Sequence, residues 1–200
     1  HSQSLEAWLA HVPGLKVIQP TTPHDVKGML LAAIDDPDPV MVFEHKLLYK
    51  TKGMVPQGRY TVPIGQAHIA RSGTDITIVA TSIMVHKSLT AADELAASGI
   101  SAEVLDLRTI RPIDRDTVLA SVEKTSRLLC VYEAVKTLGI GAEISAMVAE
   151  SHAFDFLDAP IMRLGGSENP IPYNPELEKA SVPQIADIIK NVTNLVKGKT

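Results

Sequence analysis

Two hundred residues, 45% hydrophobic but only 4% aromatic, make an ordinary globular composition with room for one domain or two small ones. Nineteen basic against 23 acidic residues, net −4, leave no basic footprint for nucleic acid, and no apolar run nears the roughly 20 residues of a bilayer span. The single cysteine, Cys130, excludes an intramolecular disulfide framework; within Leu128-Leu129-Cys130-Val131 it reads as a buried, inert thiol.

The chain opens on His1-Ser2-Gln3-Ser4, directly before a helical segment with Leu5, Trp8 and Leu9 on one face and Ser2 or Ser4 as cap. With no run-in before it, this start reads as the C-terminal portion of a larger subunit. Pro13-Gly14 stops the helix, and Leu15 to Ile18 is a short strand. Thr22-Pro23-His24-Asp25 is a strong helix start: Thr22 supplies the cap, Pro23 fits the first turn, and Asp25 suits the positive end of the dipole. Val26, Met29, Leu30 and Ala33 follow as a buried face, and Val40 to Phe43 is an apolar strand. Buried strands flanking a helix argue for a parallel sheet.

Residues from about Glu44 to Gly73 lose periodicity and read as a crossing between two domains, with one edge strand near Ala67–Ala70. Regular alternation then resumes. Strands are expected at Ile76–Ala80, Ala102–Leu107, Arg127–Tyr132 and Ile161–Leu164. Between them fall a helix through Val85, Leu89, Ala92 and Leu95, one capped by Asp114, and one bearing Ile144, Met147 and Val148. Pro172-Tyr173-Asn174-Pro175 reads as a turn, and a last helix runs from about Pro183 to Val196. The fold class is therefore α/β: an open, mostly parallel sheet covered on both faces, preceded by part of a second α/β domain.

Isolated motifs say little about chemistry. Gly139-Ile140-Gly141 lacks the third glycine of a dinucleotide fingerprint, Ile144 standing there, and reads as close packing. Gly165-Gly166-Ser167 is not a nucleophile elbow, and the seven histidines have no zinc spacing. His86 and His152 read as satisfied or solvated. Asp35-Asp36-Pro37-Asp38 is either a solvated acidic turn or a cation site using the carbonyls of a helix end. Glu133, placed just past a strand end, is either at a ligand site or in an interface.

Taken in order, His-Ser-Gln-Ser-Leu-Glu-Ala-Trp at 1–8, Val-Pro-Gly-Leu-Lys-Val at 12–17, Thr-Pro-His-Asp-Val-Lys-Gly at 22–28 and Asp-Pro-Val-Met-Val-Phe-Glu-His-Lys at 38–46 carry a resemblance. Asp-Leu-Arg-Thr-Ile-Arg-Pro-Ile-Asp at 106–114 and Gly-Ile-Gly-Ala-Glu-Ile at 139–144 continue it. The chain resembles the β-subunit of the thiamine-diphosphate-dependent 2-oxo acid dehydrogenases, the decarboxylase component of pyruvate, branched-chain 2-oxo acid and acetoin dehydrogenase complexes. The resemblance implies the second half of a pyrimidine-binding domain at 1–47, a connection at 48–66 and a transketolase C-terminal-like domain at 67–200. It implies an α2β2 heterotetramer with an α-subunit that holds most of the thiamine diphosphate and magnesium, so that this chain alone is inactive. It also implies docking to an acyltransferase component and its lipoyl domain. Nucleic acid and membrane are not among the expected partners. The expected location is the cytoplasm of a bacterium or archaeon, or the mitochondrial matrix of a eukaryote.

By the same resemblance His1 is the active-site histidine, a proton donor beside the lipoyl disulfide as it opens, a task suited to a group titrating near neutrality. Ala33, Ile34, Asp36 and Asp38 map onto a potassium site of some relatives, with Pro37 departing from the family pattern. Tyr132, Leu138 and Ser167-Glu168-Asn169 depart likewise. Two alternatives stay open: a related transketolase-type enzyme such as a deoxyxylulose-phosphate synthase, and a non-catalytic α/β interaction module.

Overall fold

The computed structural model describes residues 2–198. Among them no helix is long and apolar enough to cross a membrane. Helix α1 (Glu6–Ala10) leads to strand β1 (Lys16–Ile18), helix α2 (Pro23–Asp35) and strand β2 (Val40–Val42). Helix α2 starts as its residues dictate: Thr22 is extended, its hydroxyl accepts the Asp25 N–H, and Pro23 occupies the first turn. After a long irregular connection come β3 (His68–Arg71), β4 (Ile76–Ala80), α3 (Ile83–Ala97), β5 (Ala102–Asp106), β6 (Thr109–Arg111) and α4 (Arg115–Thr125). The chain then forms β7 (Leu128–Val135), α5 (Ile140–Ala149), β8 (Met162–Gly166), α6 (Pro175–Ser181) and α7 (Ile185–Val196).

Five strands form the main sheet in the order β3-β5-β4-β7-β8, parallel except for the antiparallel edge strand β3. The fold class read from the sequence is borne out. All of β4 and β5 is buried, because α3 and α7 cover one face of the sheet and α4 and α5 the other. On the α4 side a buried polar group completes the packing. Ser121 donates to Glu103 at 2.5 Å and shares a 2.6 Å contact with Thr77, which also meets Thr125 at 2.7 Å. Lys124 closes the group with a charge on Glu103.

A second sheet of three strands runs β2-β1-β6. Strands β1 and β2 are parallel, whereas β6 is antiparallel to β1 and comes from beyond the connection. The early and late parts also share one apolar core, in which Val17, Leu9, Ala10 and Phe43 pack with Leu105, Leu107, Ile110 and Val118.

Several expectations are corrected. Helix α1 has no side-chain cap: Leu5 takes that position, and neither Ser2 nor Ser4 caps it. Of its expected apolar face only Leu9 packs into the core, while Leu5 and Trp8 are exposed and Glu6 is buried. In α2 the buried face is Asp25, Gly28 and Met29, while Leu30 is exposed, because the chain from Tyr60 to Val62 crosses at Gly28. Strand β6 and helix α6 lay outside the expected elements.

Candidate functional site

His1 lies outside the described residues, so its surroundings are approached through its neighbours. Gln3, Ser4 and Trp8 line a cleft of about 1140 Å³ whose far wall is formed by Glu133, Gly139 and the end of β8. The wall is shaped by an irregularity in β7. Val131 pairs with Leu164 and Val135 with Gly166, so four steps along β7 match two along β8 and the strand bulges between them. Glu133 thus lies within β7 rather than past its end, in the bulge, where its carboxylate meets the imidazole of His45 at 2.9 Å. The other ring nitrogen, Nδ1, accepts the Leu47 N–H at 3.2 Å, which makes Nε2 the protonated nitrogen and the donor to Glu133.

In the opening segment Glu6 is 1% exposed. Ser4 donates to its Oε2 at 2.6 Å, and its Oε1 is enclosed without a partner. Burial is the main force pushing the Glu6 carboxyl above its usual range, and the negative charge of Glu133 pushes the same way.

The same bulge is where the glycines act. A Cβ on Gly141 would stand 2.4 Å from the Tyr132 ring, and one on Gly139 2.8 Å from it. These glycines admit a buried tyrosine against the start of α5, as expected from close packing.

A second polar cluster joins α2 to the end of β5. Arg108 donates to Asp25 at 2.6 Å, and Thr22 donates to the other Asp25 oxygen at 2.8 Å. Asp106 is buried beside them; its carboxyl, accepting the Arg108 N–H at 3.0 Å, is nevertheless pushed by burial from 3.8 to about 7. His86 meets the Thr21 carbonyl at 3.1 Å, so it is satisfied. His152 is exposed and lies 2.6 Å from Glu123. Cys130 is buried and its thiol is pushed up to about 12, which leaves it inert as expected.

Ala33 and Ile34 lie in the last turn of α2, and Asp36 and Asp38 in the turn that follows. Lys16 donates to both Asp36 oxygens at 2.7 and 2.8 Å and lies 3.1 Å from Asp38. That ammonium holds the Asp36 carboxyl below its ordinary value. Two carboxylates facing one ammonium retain one negative charge next to a helix end whose carbonyls also carry partial negative charge. The Lys16 ammonium thus already engages both carboxylates that the resemblance assigned to a cation. Among the described residues no group of three or more His, Cys, Asp or Glu is placed to hold a metal. The Lys16 contribution escaped the sequence reading because its partners lie twenty residues away.

Residues 65–188 match the model of the transketolase C-terminal domain, and residues 1–52 that of the transketolase pyrimidine-binding domain. The chain belongs to the transketolase C-terminal domain family. It is 50% identical over 194 residues to the mitochondrial pyruvate dehydrogenase E1 component subunit beta-2 of Oryza sativa subsp. japonica, covering 95% of this chain and 51% of that protein. It is 48% identical over 198 residues to the acetoin:2,6-dichlorophenolindophenol oxidoreductase subunit beta of Cupriavidus necator, covering 99% of this chain and 58% of that protein. The chain thus spans little more than half the length of these relatives, and the resemblance to 2-oxo acid dehydrogenase β-subunits is borne out. A split gene transketolase, described as an inactive beta4 tetramer, shares the fold at a TM-score of 0.80 and 22% identity, over 98% of this chain and 61% of that one.

Proposed function

We propose that this chain is the C-terminal part of the β-subunit of a thiamine-diphosphate-dependent enzyme of the 2-oxo acid dehydrogenase type. In that reading the complete enzyme decarboxylates pyruvate or a related 2-oxo acid, or cleaves acetoin, and transfers the acyl group to a lipoyl disulfide. The observation that carries it is identity near one half to pyruvate and acetoin β-subunits along almost the whole chain, across both matched domains. Those relatives favour it over a deoxyxylulose-phosphate synthase or a non-catalytic module.

The partners that follow are an α-subunit in an α2β2 heterotetramer and an acyltransferase with its lipoyl domain. Thiamine diphosphate, when bound, supplies the carbanion-stabilising chemistry. The α-subunit holds most of it together with magnesium, and no residue of this chain is assigned to it. His1 is the proposed proton donor to the lipoyl sulfur. The carbonyl oxygens of Ala33 and Ile34, with the carboxylates of Asp36 and Asp38, are the proposed potassium site, shared with Lys16. The location follows the host: mitochondrial matrix in a eukaryote, cytoplasm in a bacterium or archaeon.

The test is reconstitution. Full-length subunit, α-subunit, thiamine diphosphate and magnesium are offered pyruvate, branched-chain 2-oxo acids and acetoin, with dichlorophenolindophenol or a lipoyl domain as acceptor. Substrate-dependent acceptor reduction is expected for at least one of them. No turnover with any substrate, from an assembled heterotetramer, sinks the reading.

A further inference from the structure

The opening segment carries an acid that the proposed chemistry does not use. Glu6 belongs to the first turn of a short helix, yet it is buried. Among the described residues no cation is hydrogen-bonded or ion-paired to it. Its hydrogen-bond partner is the Ser4 hydroxyl, and its second oxygen is enclosed without one. The charge that acts on it is that of Glu133, whose carboxylate is already engaged by His45 from the loop after β2. Lys87 of α3 lies within electrostatic reach of Glu133, but its ammonium is spent on the Pro183 carbonyl at 2.8 Å.

An ionised carboxylate there would be buried with one oxygen unpartnered and the charge of Glu133 acting against it, an arrangement costing several kcal/mol. A protonated Glu6 removes the repulsion and turns a bare acceptor into a donor. We infer that Glu6 is a positioning residue that works as a neutral acid, and that Ser4, Glu6, Glu133 and His45 together fix the opening segment against the C-terminal domain. The inference rests on the proposed reaction for its meaning, since the segment so fixed is the one that carries His1.

Burial raises the Glu6 carboxyl most, hydrogen bonds from Ser4 and from its own backbone act against it, and the charge of Glu133 raises it further. The groups that face this acid are Ser4 from its own segment, Glu133 from β7 and, through Glu133, His45 and Lys87. None of them supplies a cation directly to Glu6. In the sequence only Ser2 and Gln3 separate Ser4 from His1.

The experiment uses the full-length subunit assembled with its α-subunit and compares wild type with Glu6→Gln and Glu6→Ala. Glutamine reproduces the neutral acid's shape, so Glu6→Gln is expected to keep the neutral-pH rate of lipoyl acylation and to lose the decline of wild type at alkaline pH. Glu6→Ala is expected to lower kcat about tenfold or more through misplacement while KM for the 2-oxo acid changes little. Infrared difference spectra of wild type against Glu6→Gln, taken across the same titration, are expected to show a protonated carboxyl band at neutral pH. Equal loss of rate in both variants, or a carboxylate band at neutral pH, overturns the inference. A wild-type assembly without turnover would instead count against the proposed function, and the infrared measurement would still decide Glu6.

Discussion

The guanidinium of Arg108 donates to the carboxylate of Asp25 at 2.6 Å, with Asp25 1% exposed, and so joins the end of β5 to the first turn of α2. The pair links the segments before and after the long connection. Removing one member leaves the other charge buried, and for Asp25 that is the harsher case. Arg108→Met is expected to cost about 3–5 kcal/mol. Urea denaturation of the full-length subunit measures it. A double variant with Asp25→Asn is expected to recover part of the loss; strict additivity would show that the two side chains act independently.

Asp106 gives the protein a dependence on pH. Its folded-state pKa, about 7 against 3.8, is raised, so its contribution is fully present below the unfolded value and is lost as pH rises through the folded one. The ionised form at alkaline pH therefore carries a penalty of about 4 kcal/mol, which Asn does not share. Asp106→Asn is expected to stabilise the protein above neutrality and to change little at strongly acidic pH. Thermal midpoints across that range check the sign, and a benefit confined to the acid side would refute it.

Gly141 is held small by Tyr132. A Cβ there would fall 2.4 Å from a ring carbon and 2.8 Å from the phenolic oxygen. Gly141→Ala is expected to destabilise by about 1–3 kcal/mol through overpacking, despite alanine's better helix propensity. Pairing it with Tyr132→Leu should return part of that loss, a pattern seen only if the ring is the obstacle.

The acidic turn supplies a test of the cation. At equal ionic strength, potassium chloride is expected to raise the thermal midpoint over choline chloride. The rise should shrink in Asp36→Asn, which removes a negative charge from the turn. An identical midpoint in both salts would leave Lys16 as the counter-charge of Asp36 and Asp38, beside the Arg59–Asp35 pair.

The sequence disclosed what is decided locally. Thr22, Pro23 and Asp25 announce α2 within four residues, and Asp114 announces α4 because its carboxylate accepts the Thr117 N–H one turn away. Strand β4 was legible to the residue, as an apolar β-branched run. What stayed hidden depends on distant partners. Three residues, Thr109–Arg111, become a strand because β1 lies beside them, more than ninety positions earlier. Helix α6 was masked by an apparent turn, although Asn174 followed by Pro175 is also a helix start, with Asn174 accepting the Glu176 and Leu177 N–H groups. The burial of Glu6 and exposure of Trp8 in α1 were unreadable for the same reason, since they depend on how the helix packs on elements far along the chain. Of the candidate site, the resemblance named residues along the chain, while the His45–Glu133 contact appears only in three dimensions.

Strand β6 has a consequence for gene hybrids. Because Val17 pairs with Arg111 and Ile18 with Thr109, the three-stranded sheet is closed by a strand from the stretch that matches the transketolase C-terminal domain. A hybrid that joins the early part of one relative to the late part of another inherits β1 and β6 from different parents. Its success turns on whether that short seam still zips, and exchanging Thr109–Arg111 together with the early part would keep the seam native.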